Sequence, residues 1–276
     1  MLDFKRIPVS AWIGLISTGL FAFAALFAPW VAPFSNTEIV GGLWESSSAQ
    51  HWLGTDNLGR DLLSRMIYGA RTTLFIASMA TALSFLTGSV LGFTAAVIGG
   101  WIDLLMSRLV DLLMSIPTLI FALVVLSVLP SNLITLILVM GILDATRVYR
   151  LARAVAVDIN VMDFVEATKL RGEGRGWIIF REILPNALTP LIAELGLRFI
   201  FQVLFLSALS FLGLGIQPPD ADWGSMVKEN KEGIVFGIPA ALIPAAAIAI
   251  LAISVNLIAD WVLNRTTDLK GGRGGH

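Results

Sequence analysis

The chain has no cysteine, only two histidines, and 14% charged residues, against roughly 25% in soluble proteins. Without cysteine it has no disulfides, no thiolate metal ligands and no thiol redox chemistry. His51 and His276 both stand away from any carboxylate at the spacing of a metal ligand or general base. No Gly-x4-Gly-Lys-Ser/Thr string exists to cradle a nucleotide phosphate. The one basic stretch is interspersed with acids, which suits protein contact better than nucleic acid. These absences leave little room for an enzyme, a cofactor carrier or a nucleic-acid binder.

The chain is instead rich in apolar sequence: 56% of its 276 residues are hydrophobic. Crossing a hydrocarbon core of about 30 Å takes roughly 20 apolar residues. Charge-free runs cover 7–37, 72–102, 112–143, 199–219 and 233–259. The third is too long for one span, and Pro130-Ser131-Asn132 supplies a turn inside it. Six spans follow, near 10–32, 72–98, 103–129, 132–147, 188–215 and 239–263. Pro117 inside the third predicts a kink. The apolar run after Lys5-Arg6 exceeds a signal-peptide core and lacks a clean cleavage site, which predicts an uncleaved first span.

Charge is sorted along this pattern. With six spans, both termini share a face with Arg147, Arg150, Arg153, Lys169, Arg171, Arg175, Arg181, Arg265, Lys270 and Arg273. The opposite face keeps Arg60, Arg65, Arg71, Lys228 and Lys231, outnumbered by carboxylates. The positive-inside tendency places the richer face, and both termini, in the cytoplasm. Trp12, Trp101, Trp261 and Trp30 fall at expected interfaces. The domain reading is an N-terminal span with an outer segment (1–71), a five-helix core (72–265) containing a polar loop (144–187), and a tail (266–276).

The polar loop is the most telling stretch, because its charges cannot lie in lipid. Asp158–Arg171 reads as an amphipathic helix, with Val161, Phe164, Val165 and Thr168 on one face and Gly172 ending it. Trp177–Leu184 reads as a second short helix stopped by Pro185. Helices this short are marginal alone in water and need a surface to fold on.

The string Asp163-Phe164-Val165-Glu166-Ala167-Thr168, Gly172, then Ile183-Leu184-Pro185-Asn186 resembles the EAA loop of permeases in ATP-binding-cassette importers. Other blocks are similar to the dipeptide, oligopeptide and nickel permeases, C-type subunit: Leu53-Gly54-Thr55-Asp56 with Gly59-Arg60-Asp61; Asp103, Arg108, Asp111 and Ser115-Ile116-Pro117; and Leu209–Gly215 with Trp223-Gly224. Thr168 stands where the motif has alanine, Gly174 and Gly176 where relatives show a Gly-Ala-Ser type sequence, and Asp144 where many carry an aromatic residue.

The resemblance implies an all-α polytopic membrane protein with six transmembrane helices and a cytoplasmic EAA coupling-helix loop, in a bacterial or archaeal inner membrane. It implies no cofactor and no catalysis on this chain. The implied partners, besides membrane lipid, are a homologous second permease subunit, two ATPase subunits and an extracytoplasmic binding protein. Asp163, Glu166, Ala167, Thr168, Gly172, Ile183, Leu184 and Pro185 would couple to the ATPase, Gly172 letting the chain reverse without a side chain in the way. The implied cargo is peptides, nickel chelates or opine-like solutes.

Three readings stay open at this point. Arg108 with Asp111, and Glu194 with Arg198, share helix faces; they neutralise each other or line the pathway. Small residues in spans two and six, among them Ala77, Ala80, Gly88, Gly92 and Ala245–Ala247, serve packing within the bundle or against a second subunit. Residues 54–71 form an amphipathic helix on the outer interface or a contact for the binding protein. The opposing function class is an ion-coupled secondary carrier, in which Asp111 relays protons.

Overall fold

The computed structural model describes residues 7–130 and 132–271, with side chains described as far as Asn264. Lys5, Arg6, Ser131 and residues 272–276, with Arg273 and His276, lie outside the described residues, as do the side chains of Arg265 and Lys270. Among the described residues the architecture is helical, with turns and two isolated bridges before the second long helix.

Helix α1 (Val9–Leu26) and the single turn α2 (Ala28–Val31) fill the first expected span. Helix α3 (Leu62–Ile98) starts ten residues before the expected 72. Asp61 caps it, its Oδ2 accepting from Ser64 N at 2.8 Å. The expected interfacial helix over 54–71 is therefore absent. Residues 54–61 are turns, 62–71 are the first turns of α3, and Arg60 and Arg65 are buried. Extending a helix already nucleated costs less than starting another, so apolar residues around Leu62 and Ile67 join the span behind them.

Pro117 does more than kink the third span. Helix α4 (Gly100–Ser115) ends before it and α5 (Thr118–Val128) begins after it, the two bent by 86°. Clash with the proline ring drives the preceding residue out of the helical region, and Ile116 is extended at φ −91°, ψ 131°.

Helix α6 (Leu133–Asn160) starts on its Asn132 cap and runs well past Arg147, so the loop is shorter than its polarity suggests. Then come α7 (Asp163–Leu170), α8 (Arg175–Trp177), α9 (Leu184–Leu212), α10 (Trp223–Asn230) and α11 (Leu242–Gly271), which carries helix into the expected tail. Four helical segments (Val9–Leu26, Leu62–Ile98, Arg175–Leu212 and Pro239–Asn264) are long and apolar enough to cross a membrane, and the bent α4–α5 pair raises that to five. Helix α6 carries Asp144, Arg147 and Arg150 in its first eighteen residues, whereas each of those segments contains an eighteen-residue apolar stretch with two charges at most.

In lipid there is little hydrophobic drive to bring helices together, so close contact between backbones matters. A Cβ added to Gly88 of α3 would lie 2.7 Å from both Ala145 O and Val148 Cβ of α6. The small residues of α3 at this crossing are thus used inside the bundle. Three apolar clusters stack from one end to the other: around Leu62, Trp223 and Met226; around Ile76, Met140 and Leu206; and around Phe93, Ala152, Ile178 and Ile183.

Candidate functional site

The polar loop lies beyond the third cluster. Expected as one helix over 158–171, it is divided: α6 stops at Asn160, Val161–Met162 turn, and α7 restarts at Asp163. Asp163 and Glu166 occupy the first turn of α7, where negative charge favours the N-terminal end of the dipole. Only Val165 and Thr168 of the expected apolar face are buried; Val161 and Phe164 are exposed. The Thr168 hydroxyl lies 2.9 Å from Phe164 O and 3.1 Å from Glu182 Oε1, and Arg171 Nη2 donates to it at 3.1 Å. Lys169 Nζ donates to Asn160 O at 3.0 Å, tying the helix back to α6. Asp163, Glu166 and Ala167 are left on the outer side.

Gly172 ends α7 at φ +82°. Its N–H donates to Lys169 O at 3.0 Å and that of Glu173 to Thr168 O at 3.4 Å, the paired bonds of a Schellman stop. A Cβ at Gly172 would meet nothing within 4 Å. The glycine is there for its left-handed backbone and not, as its place in the turn suggests, for lack of room.

The second short helix expected over 177–184 does not end at Pro185. Helix α8, a π-helical turn over Ile178–Ile183 and α9 form one continuous helix, with Pro185 in the first turn of α9. A proline lacks the N–H for the ladder and crowds the carbonyl four residues back; the wider π turn just upstream accommodates both. Ile183 is buried in the third cluster with Leu184 packed beside it, whereas Pro185 is exposed.

Within the bundle, Arg198 Nε donates to Glu194 Oε1 at 2.7 Å, as their spacing predicts. The fold adds two partners that spacing misses. Asp144 of α6 is fully buried, 3.4 Å from Arg198 Nη1 and 3.6 Å from Arg147 Nη1. Arg147 also reaches Thr118 Oγ1 at 3.2 Å, beside the α4–α5 break, and lies over the Phe201 ring at 4.4 Å. Two acids and two arginines thus form a neutral seam joining α5, α6 and α9. The other expected pair is loose: Arg108 is mostly exposed and 4.0 Å from Asp111. Asp111 Oδ1 instead accepts from Arg150 Nη2 at 2.6 Å, and Arg153 grips Asp103 at 2.5 and 2.6 Å. Helix α4 is latched to α6 by these two arginines.

The opposite end carries a platform made of residues 33–61 and 213–241. Asp56 Oδ2 accepts from Arg60 Nε at 2.7 Å and from Arg65 Nη1 at 2.6 Å. Glu229 Oε2 accepts from Arg60 Nη2 at 2.8 Å and Arg65 Nη1 at 2.6 Å. Burial pushes the Asp56 carboxyl upward, but the Arg60 and Leu58 N–H groups and Arg65 outweigh it and hold the group below the ordinary range. His51, which has no carboxylate nearby in sequence, meets Asp61 at 3.0 Å and helps fix the α3 cap. Asp222 caps α10 through Gly224 N at 2.9 Å; its burial raises it to about 6 against the hydrogen bonds of Ser225 and Gly224.

Comparison with known proteins adds an independent finding. Residues 88–268 match the family described as binding-protein-dependent transport system inner membrane component. The chain is 34% identical over 251 residues to the dipeptide transport system permease protein DppC of Alkalihalophilus pseudofirmus, covering 91% of this chain and 83% of that one. It is 35% identical to the di/tripeptide transport system permease protein DppC of Pseudomonas aeruginosa, covering 90% and 84%. Identity to the glutathione transport system permease protein GsiD of Pectobacterium atrosepticum is 30%, over 93% and 86%.

Proposed function

Because the chain belongs to the family of binding-protein-dependent transport system inner membrane components, we propose that it is the conduit of an ATP-driven peptide importer whose motor grips the loop at 161–187. It is a multi-pass inner-membrane permease subunit with no catalytic role of its own. Counting the α4–α5 pair and the charged α6 as spans makes six, with both termini and the loop on the cytoplasmic face. The partners are a second, homologous permease subunit, two ATPase subunits and an extracytoplasmic binding protein. The names of the relatives, for dipeptides, di/tripeptides and glutathione, support small peptides as cargo.

The observation that carries this reading is the two-sided build of α7. Its inner side, Val165 and Thr168, is packed and bonded to the bundle, while Asp163, Glu166 and Ala167 face outward. Such a handle passes force: the third cluster joins it to α3, α6 and α9 as one packed body. Closure of two ATPases on nucleotide would draw two such loops together and tilt the bundles between inward and outward access. Ile183 and Leu184 seat the return strand of the loop, and Pro185 marks its entry to α9. The carrier reading needs a carboxylate free to relay protons, yet Asp111 is held by Arg150 and Asp144 lies between two arginines.

The test is co-purification of the chain with its ATPases, together with ATP-dependent uptake in proteoliposomes. Glu166→Arg should abolish both while leaving membrane insertion and detergent-soluble yield unchanged. Persistence of association and of uptake in that variant would refute the coupling role.

A further inference from the structure

Six arginines of the bundle and platform are matched: Arg60, Arg65, Arg147, Arg150, Arg153 and Arg198 each lie against a carboxylate. Arg71 and Asp220 are exposed instead. Among the described residues neither has an ion-pair partner, and they do not pair with each other. Yet both line one cavity of about 650 Å³ at the platform end, between the starts of α3 and α6 and the turn after α9. The volume falls inside the range of small-molecule sites, about 300–1,000 Å³.

Two opposite, unneutralised charges on the wall of one cavity suit a ligand with an anionic and a cationic end. Tyr68, Asn132 and Gln217 add polar groups to the lining, and Phe75 and Ile216 add apolar wall. Asn132 also caps α6, so the positive end of a 28-residue helix opens at the cavity. The Asn36 side chain donates to Pro219 O at 3.3 Å and ties the rim formed by the first outer segment to the turn that bears Asp220.

We propose that this cavity is an acceptor site for zwitterionic di- and tripeptides on the permease itself. The Arg71 guanidinium holds the terminal carboxylate through paired N–H donors. Asp220 holds the terminal ammonium, and the amide and phenol groups bond the peptide unit. The inference rests on the proposed orientation and cargo, and adds that this subunit reads peptide termini after the binding protein lets go.

The test uses the complete complex, with partner permease, ATPases and binding protein, in proteoliposomes supplied with radiolabelled alanyl-phenylalanine. Uptake and binding-protein-stimulated ATP hydrolysis are measured together. Arg71→Gln and Asp220→Asn should each lower peptide moved per ATP fivefold or more, with ATPase stimulation within twofold of wild type; Arg71→Lys should keep at least half. Unchanged peptide per ATP in both variants overturns the site. So does a parallel fall of uptake and ATPase stimulation, which marks lost docking or assembly. A wild-type complex that moves no peptide overturns the cargo reading and the site with it, whereas wild-type transport beside unaffected variants overturns the site alone.

Discussion

Arg65 and Glu229 stand 164 positions apart and meet at 2.6 Å, Arg65 Nη1 donating to Glu229 Oε2. The bond joins the first turns of α3 to the helix that follows α9, and Asp56 and Arg60 complete a four-membered knot around it. Removing one member leaves a buried charge without its counterion, which costs about 3–5 kcal/mol. Arg65→Met should therefore lower the apparent melting temperature of the detergent-solubilised protein sharply. Glu38→Gln, at an exposed position of the same platform, should change stability by no more than about 0.5 kcal/mol.

At Gly172 the strain of a side chain is separable from crowding, since the φ of +82° is the only obstacle. Gly172→Ala should destabilise the loop by about 1–2 kcal/mol. Gly174, at φ −72° and equally uncrowded, should accept alanine with a neutral or slightly stabilising effect. Proteolysis of the loop at native temperature reads both: faster cleavage for the first variant and unchanged or slower cleavage for the second.

Asp222 imposes a pH dependence of unusual sign. Its folded pKa is about 6 against 3.8 unfolded, so between those values the native state holds a proton that the unfolded state has released. Stability should fall as pH rises from about 4 to about 6, by up to ~3 kcal/mol at about 1.4 kcal/mol per unit. Asp222→Asn keeps a capping oxygen and removes the titration. Melting curves at pH 4, 5, 6 and 7 should flatten in that variant.

The crossing of α3 and α6 leaves no space for a side chain at Gly88. The obstructing atoms are backbone as well as side chain, so relief requires the helices to part. Gly88→Val should cost about 1–3 kcal/mol or more and reduce the yield of folded protein. Gly19, with nothing within 4 Å of an added Cβ, should take the same change with little loss. Size-exclusion profiles of the two variants in detergent provide the comparison.

Legibility followed the range of the interaction. The loop could be found from its charge alone, because a bilayer sorts short stretches by composition, whereas Glu166, Ala167 and Gly172 are singled out by the resemblance of their motif. The Glu194–Arg198 pair was also readable, being four residues apart on one helix. Asp144 was noticed as an oddity, but its partner Arg198 is 54 positions away and no local pattern joins them. Helix limits were misread where local polarity and helical continuity disagree. Arg60 and Arg65 suggested an exposed segment before α3, and Arg147 suggested a loop inside α6. In each case the charge found a buried or bridging partner and the helix continued.

Apolar run length, the asymmetry of lysine and arginine, and the motif blocks were enough for the membrane class, the loop and the family, since each depends on residues adjacent in the chain. The knot at Arg65, the neutral seam around Asp144 and the cavity bearing Arg71 and Asp220 emerged from folding. They depend on which helices lie side by side, and pairing across many tens of residues leaves no trace in local composition.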